Sequence, residues 1–421
     1  MKAIILQHRH ERDYLAAKDY QQRYVNISVE DYLQSPLIKV VSGARRAGKS
    51  VFCLQMLQGK NYAYLNFDDS KLLQGFDEDT VTQLLQEVYP GYEYLMLDEI
   101  QNLDGWEFWI EKLYRRGTNL ILTGSNAKLL SSELSTVLSG RYLKIEILPF
   151  SLEEDLSYLA VPLECETPEQ RGVFMHEVDE YMQYGGYAEV VKSRSLTQTY
   201  LQGVYDTVLL KDIIQRYKIH NTDDLYNVAE WLASNVTGLF TISSLAEELG
   251  MSSKTTLKKY CDYLSSSYLY YYLPRFNNKL KLMKKAARKS YMVDTGFVKA
   301  KAFGVSQDLG KLLENMVFVE LLRRGYEIGK TLFYYRSRND KEVDFVLRKG
   351  NKVVELLQVC YEMTTQKTER REVTSMLECA EELRCSNYSI ITWDDERVIE
   401  EPTDIKVVPF YKWALAGIKN K

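Results

Sequence analysis

Histidine is scarce in this chain. Four in 421 residues are too few for a metal centre built on imidazoles, although His8 and His10 form an HxH pair near the start. The six cysteines stand singly at Cys53, Cys165, Cys261, Cys360, Cys379 and Cys385, with no CxxC spacing. That pattern argues against a zinc site or a disulfide frame and suits buried thiols in a reducing compartment. No apolar run approaches the ~20 residues that a membrane-crossing helix needs. The opening MKAIILQHRHERDYL turns charged too soon for a signal peptide, so a cytoplasmic location with no membrane partner is expected. Lys and Arg total 54 against 58 Asp and Glu, a net charge of −4. Such a balance gives no global attraction to nucleic acid, and any basic surface must be local. No internal repeat is present.

What is present is a long α/β pattern. A chain of 421 residues exceeds what one core usually serves, so several domains are expected. Buried-strand candidates fall at residues 38–42 (IKVVS), 63–67 (AYLNF), 94–100 (YLMLDEI), 119–125 (NLILTGS) and 142–150 (YLKIEILPF). Helical stretches at 50–58, 79–88 and 106–116 separate them, which predicts a parallel sheet covered on both faces. After residue 150 the pattern turns helical, then becomes mixed α/β again from about 310 to 410. The expected division is a parallel α/β domain at 1–150, a helical lid or linker at 151–225, a winged helix at 226–295 and a mixed α/β domain at 296–421.

The strongest motif is GARRAGKS at 43–50, a GxxxxGK[ST] loop set between a strand and a helix, as the motif requires. Gly43, Ala44, Arg45, Arg46, Ala47 and Gly48 would wrap a polyphosphate with backbone amides, and the helix running through Val51 adds its positive end. Lys49 would reach the β- and γ-phosphates of ATP, and Ser50 would ligate Mg2+. Arg45 and Arg46 are expected to serve structure, pairing with Asp68 or Asp69. YLMLDEI ends an apolar strand in Asp98, expected to hold Mg2+ through water, and Glu99, expected to polarise the attacking water. One further strand intervenes between the two motifs. NLILTGSN ends in Ser125 and Asn126, either of which can sense the γ-phosphate. Arg141, just before the next strand, would stabilise phosphoryl charge in cis or across a subunit, or else serve structure.

VVSGARRAGKSVF, YLNFDD, YLMLDEIQNLDGWE, LILTGSNAKLLSSELSTVLSGRYLKIEILPFSLEE and YGGYAEVV together resemble a prokaryotic family of AAA+-type P-loop ATPases with a C-terminal domain of unknown function. The resemblance spans nearly the whole chain and implies ATP binding and hydrolysis.

Downstream, TISSLAEELGMSSKTTLKKYCDYLSSSYLYYYLPRF parses as helix–turn–helix, with helices at 243–249 and 253–264 and then a wing strand. Ser253, Lys254, Thr256, Lys258 and Lys259 would be exposed on the second helix. The wing that follows carries Lys284, Lys285 and Lys289 within a run free of acids from Arg275 to Lys289. Lys254, Lys258, Lys284, Lys285 and Lys289 are therefore candidate DNA-backbone contacts. A lid or a protein-contact module accounts for the same residues.

The helix at 311–325 with Glu314, the strand EVDFVL with Asp344 and the strand KVVELLQVC follow the order of a PD-(D/E)XK (restriction-endonuclease-like) core. Such a core holds Mg2+ on acids and uses a lysine at the attacking oxygen. Here Gln358 stands at the expected acid and Cys360 at the expected lysine. Glutamine is a weak ligand for a hard cation, and a thiol cannot replace an ammonium. Glu355 would join only through a bulge, because its parity puts it on the opposite face. The resulting expectation is an ATPase moving a DNA-binding module with a degenerate nuclease site. A STAND-like nucleotide switch with a protein partner or homo-oligomer, and an active metal-dependent nuclease, are the alternatives.

Overall fold

The structure, a computed structural model, describes residues 1–125, 140–301, 308–401 and 403–416. The chain forms two compact units: Met1–Pro149 with Ser266–Tyr268, and Phe150–Ser265 with Leu269–Lys421. The segments expected as lid, winged helix and C-terminal domain fall, apart from residues 266–268, within the second unit.

In the first unit β1 (Ile38–Gly43), β2 (Tyr62–Asn66), β3 (Tyr94–Asp98), β4 (Asn119–Gly124) and β5 (Tyr142–Ile147) form a parallel sheet in the order β5-β1-β4-β3-β2. All six residues of β1 are buried, which is why the strands read as continuous apolar runs rather than alternating ones. Ile38, Val40, Leu95, Leu97, Leu120 and Leu122 share one core with Trp106, Trp109, Ile110 and Leu113 of the Trp106–Arg115 helix. Val41, Met96 and Ile121, one residue out of phase, are buried on the opposite face. The helix Lys2–Ala16 packs on β2 and on the Glu78–Val88 helix and buries Ile5 and His8. The opening segment is thus part of the core. Because β4 lies between β1 and β3, the loops leaving these three strands emerge side by side at one edge, where α/β sheets bind ligands.

The second unit begins helically, with Leu152–Tyr158, Pro168–Tyr184, Ala188–Lys192, Thr197–Thr207 and a π-helical run Val208–Gln215. Gly185 and Gly186 end the long helix against Asp294. A Cβ on Gly185 would lie 1.7 Å from Asp294 Oδ1, and the Gly186 amide donates to Oδ2 at 2.8 Å. Next come Thr222–Ser234, β6 (Leu239–Phe240), Ile242–Glu248, Lys254–Ser266, β7 (Tyr270–Pro274) and β8 (Arg288–Met292), with β6-β8-β7 an antiparallel sheet. Thr241 caps Ile242–Glu248 through a capping box, which fixes its start. The helix Leu280–Lys285 lies between β7 and β8.

The C-terminal part is a mixed sheet of β9 (Leu332–Arg336), β10 (Glu342–Lys349), β11 (Lys352–Val359), β12 (Tyr388–Thr392), β13 (Arg397–Ile399) and β14 (Ile405–Pro409), in the order β13-β14-β12-β11-β10-β9. The helix Leu309–Arg323 precedes it. The helix Gln366–Leu383 carries the chain from β11 to its parallel neighbour β12. Among the described residues, no helix is long and apolar enough to cross a membrane.

Candidate nucleotide site and a carboxylate cluster

The loop after β1 turns through Arg46 at φ 64° and Gly48 at φ 90° and enters the Lys49–Met56 helix. Lys49 is buried, its ammonium donating to the carbonyls of Ala44 at 3.1 Å and Gly43 at 3.4 Å and lying 3.7 Å from Glu99 Oε1. Ser50 Oγ donates to Asp98, 2.8–2.9 Å from its two carboxylate oxygens. Burial pushes the Asp98 carboxyl up to about 6, helped by the adjacent Glu99 and opposed by hydrogen bonds from Thr123 and Ser50. Glu99 stands just past the end of β3 in the left-handed region at φ 51°, a conformation costly for a non-glycine residue and concentrated at functional sites.

Ser125, at the tip of β4, is buried, and its Oγ has no hydrogen-bond partner among the described residues. A buried hydroxyl without a partner is costly, and a phosphate oxygen at this edge would satisfy it. The residues therefore fit a Mg2+-bound nucleotide. Ser50 and Asp98 would hold the metal, while Lys49, the loop amides and Ser125 would hold the phosphates. Asn126 lies outside the described residues.

Two contributors were not foreseen. Thr123, two residues before Ser125 and so on the same face of β4, donates to Asp98 and accepts from the Glu99 amide at 3.0 Å. It therefore holds both acids. Arg23, from the segment before β1, is buried and donates to the carbonyls of Ala47 at 2.5 Å and Leu148 at 2.6 Å. It thereby braces the phosphate loop, and no motif marks it in the sequence. Arg23→Ala is expected to raise the Kd for ATP about tenfold, a loss of roughly 1.4 kcal/mol, and to lower the melting temperature as well, because two buried carbonyls lose their donor. A fluorescent-nucleotide titration giving an unchanged Kd would remove Arg23 from the site.

Other expectations need correction. Arg141 precedes β5, which runs parallel to β1 with Tyr142 opposite Ile38 and Ile147 opposite Gly43. It thus sits at the far edge of the sheet, roughly 17 Å of strand from the phosphate loop, exposed and with its guanidinium over the Tyr114 ring at 5.8 Å. It cannot reach a phosphate in cis. Arg46 is exposed.

Lys254 and Lys258 are exposed on the Lys254–Ser266 helix, and Lys284 and Lys285 on the Leu280–Lys285 helix. Lys258 pairs with Asp262 at 3.3 Å. Thr241, Ser243, Lys258, Lys284, Lys285 and Arg288 line a cavity of about 190 Å³. Lys289 does not belong to this surface. It is 3% exposed, since β8 is buried from Lys289 to Met292 and only Arg288 at its start is half-buried.

The Lys289 ammonium lies 2.9 Å from Glu314 Oε1, 2.8 Å from Glu342 Oε1 and 2.7 Å from Asp344 Oδ1. Tyr291, two residues along β8, also donates to Glu314 Oε1 at 2.7 Å. Burial pushes the Glu314 carboxyl up to about 7, against the pull of Lys289. Gln358 is spent locally: its Nε2 donates to Glu372 at 2.9 Å and its Oε1 accepts from the Asp344 amide at 3.3 Å. Asp344 Oδ2 accepts from the Val359 amide at 2.9 Å. Burial pushes the Cys360 thiol up to about 11, so it stays neutral. The register shift on β11 falls between Val353 and Glu355, outside the stretch from Glu355 to Gln358. Glu355 therefore keeps its opposite parity. Among the described residues, no group of three or more His, Cys, Asp or Glu side chains is arranged to hold a metal ion.

Residues 35–156 match the AAA domain family, and residues 175–308 and 309–413 match two families described as domains of unknown function (DUF8612 and DUF4143). The uncharacterized protein MJ1544 of Methanocaldococcus jannaschii is 32% identical over 93% of this chain and 91% of its own length. An uncharacterized protein of Haemophilus influenzae is 34% identical over 80% of this chain and 87% of its own. Among solved structures, the Walker-type ATPase of Pyrococcus abyssi is 15% identical, with a TM-score of 0.41 over 68% of this chain and 99% of that one. Cdc6p of Pyrobaculum aerophilum is 13% identical, with a TM-score of 0.27 over 63% of this chain and 92% of that one. With relatives matched along almost their full length, the chain belongs to the family of MJ1544, and with a complete phosphate loop on a five-stranded parallel sheet it joins a nucleotide-binding, AAA-type P-loop ATPase domain to domains of unknown function.

Proposed function

We propose that the chain is a Mg2+-dependent ATPase whose nucleotide state governs the engagement of DNA by its second unit. The observation that carries the ATPase reading is the pairing of Ser50 with Asp98 beside Lys49 and Glu99. A metal held there would screen phosphate charge and orient the γ-phosphoryl group. Lys49 binds the phosphate oxygens with a point charge and Ser125 donates to the terminal one. Glu99, held at a fixed backbone angle by Thr123, orients a water for in-line attack and accepts its proton.

The DNA reading rests on the second unit. Helices Thr222–Ser234, Ile242–Glu248 and Lys254–Ser266 with the β6-β8-β7 sheet have the element order of a winged helix. The cavity beside the wing presents Lys258, Lys284, Lys285 and Arg288 against one acid, Asp262. Coupling has a route along the chain. The Lys254–Ser266 helix leads within two residues to Tyr268, which in the first unit donates to Ser42 of β1 at 2.8 Å, beside Gly43. We read the C-terminal part, from the succession of the Leu309–Arg323 helix, β10 and β11, as a nuclease-like scaffold that grips or docks.

Lys284→Glu with Lys285→Glu is expected to weaken DNA binding at least tenfold and to flatten its salt dependence by about two charges. The check is a gel-shift series at several salt concentrations, with and without ATP, beside an ATPase assay. Unchanged, salt-sensitive binding would move the DNA contact elsewhere. A partner protein retained in one nucleotide state, with no DNA binding at all, would favour a nucleotide switch.

A further inference from the structure

The carboxylates Glu314, Glu342 and Asp344 come from two elements, the Leu309–Arg323 helix and β10, and place one oxygen each within 2.9 Å of a single point. Glu342 and Asp344, two residues apart, share a face of their strand. Three hard anionic oxygens converging on one point in a buried setting require a cation. That point is the Lys289 Nζ. Its ammonium donates to Glu314 and Asp344 and lies 2.8 Å from the Glu342 carboxylate, so one positive charge serves all three acids. The neighbouring polar groups are also committed: Asp344 Oδ2 to the Val359 amide and both ends of the Gln358 amide to Glu372 and Asp344.

We propose that Lys289 is the resident cation of this cluster, holding from β8 the place that a divalent metal would otherwise take. The Mg2+ that the strand order implies does not fit the cluster as it stands. The same bond set ties β8 of the basic wing to β10 and to the Leu309–Arg323 helix. This inference rests on positions in the second unit alone and is independent of the ATPase and DNA readings.

The test is Mn2+ binding to the full-length, nucleotide-free protein, read from loss of the free-ion electron paramagnetic resonance signal and from the melting temperature. Wild type and Asp344→Asn are expected to bind Mn2+ alike, because the cluster is closed to it. Lys289→Met removes the ammonium at similar volume and is expected to gain one Mn2+ site per chain. Its melting temperature should rise by several degrees on adding the metal. Adding Asp344→Asn to Lys289→Met should abolish both effects. Should Lys289→Met fold only when Mn2+ is present, that dependence would support the same assignment.

Mn2+ binding in the wild type that disappears in Asp344→Asn would overturn the proposal, and so would a folded Lys289→Met that binds no more Mn2+ than wild type. The wild-type comparison decides even where the variant does not fold.

Discussion

Glu99→Gln is expected to bind ATP within about twofold of wild type and to hydrolyse it 10²- to 10⁴-fold more slowly, the usual range for loss of a positioned base. Glutamine keeps the shape and one hydrogen-bond acceptor but cannot take a proton from water. The backbone at Glu99 should hold, since its amide donates to Thr123 and its φ of 51° is set before the side chain begins. Lys49→Ala makes the contrasting case. Its ammonium is buried on two loop carbonyls and beside Glu99, so its removal takes away the positive charge that a nucleotide would meet. Nucleotide affinity should fall at least 100-fold, about 2.7 kcal/mol. Calorimetric titration with a non-hydrolysable ATP analogue, beside a phosphate-release assay, separates the two. Normal turnover in Glu99→Gln would remove Glu99 from its role. Normal binding in Lys49→Ala would remove the nucleotide from this loop.

The nucleotide site was largely legible in the sequence because most of its chemistry is local. A glycine-rich loop between strand and helix, acids at the end of a second strand and a hydroxyl at the end of a third are each set by a few adjacent residues. The sheet then brings the strand ends together at one edge. Thr123 was readable by the same logic, lying one strand repeat before Ser125, but its role needs the β3–β4 pairing that places it against Asp98. Arg23 was not readable, since its contacts to Ala47 and Leu148 span the domain. For Arg141, nearness in sequence to a strand does not give nearness to the site. In a parallel sheet, a residue preceding a strand lies at the opposite edge from the loops that follow its neighbours.

The carboxylate cluster failed for a related reason. A run of basic residues reads as one solvated face, whereas β8 is buried from Lys289 onward. One step turns the chain from half-buried Arg288 to buried Lys289, and its acids arrive 25, 53 and 55 residues later. Gln358 and Cys360, where a PD-(D/E)XK core would carry an acid and a lysine, are visible in the sequence. The replacement cation is not.

Gly43→Ala should be among the most damaging single substitutions in the first unit. Gly43 ends β1 at φ 143° and pairs with Ile147 of β5. A methyl group there would lie 2.0 Å from the Ile147 carbonyl oxygen, 2.9 Å from its carbon and 3.0 Å from its nitrogen. All three atoms are backbone in a buried parallel pair, so relief requires moving β5 away from β1 or turning the first peptide of the phosphate loop. Backbone strain and overpacking each cost about 1–3 kcal/mol, and together they should remove about 3 kcal/mol or more from a typical reserve of ~5–15 kcal/mol. Gly59→Ala is the control. Gly59 is also left-handed, at φ 75°, but a Cβ there would meet nothing within 4 Å, so only the dihedral penalty of about 1 kcal/mol applies. Urea melts followed by circular dichroism, with nucleotide titration on whatever remains folded, should rank Gly43→Ala well below Gly59→Ala on both measures. If the two melted alike, β5 would have room to yield, and the close approach of Ile147 to Gly43 would not be what holds the phosphate loop in place.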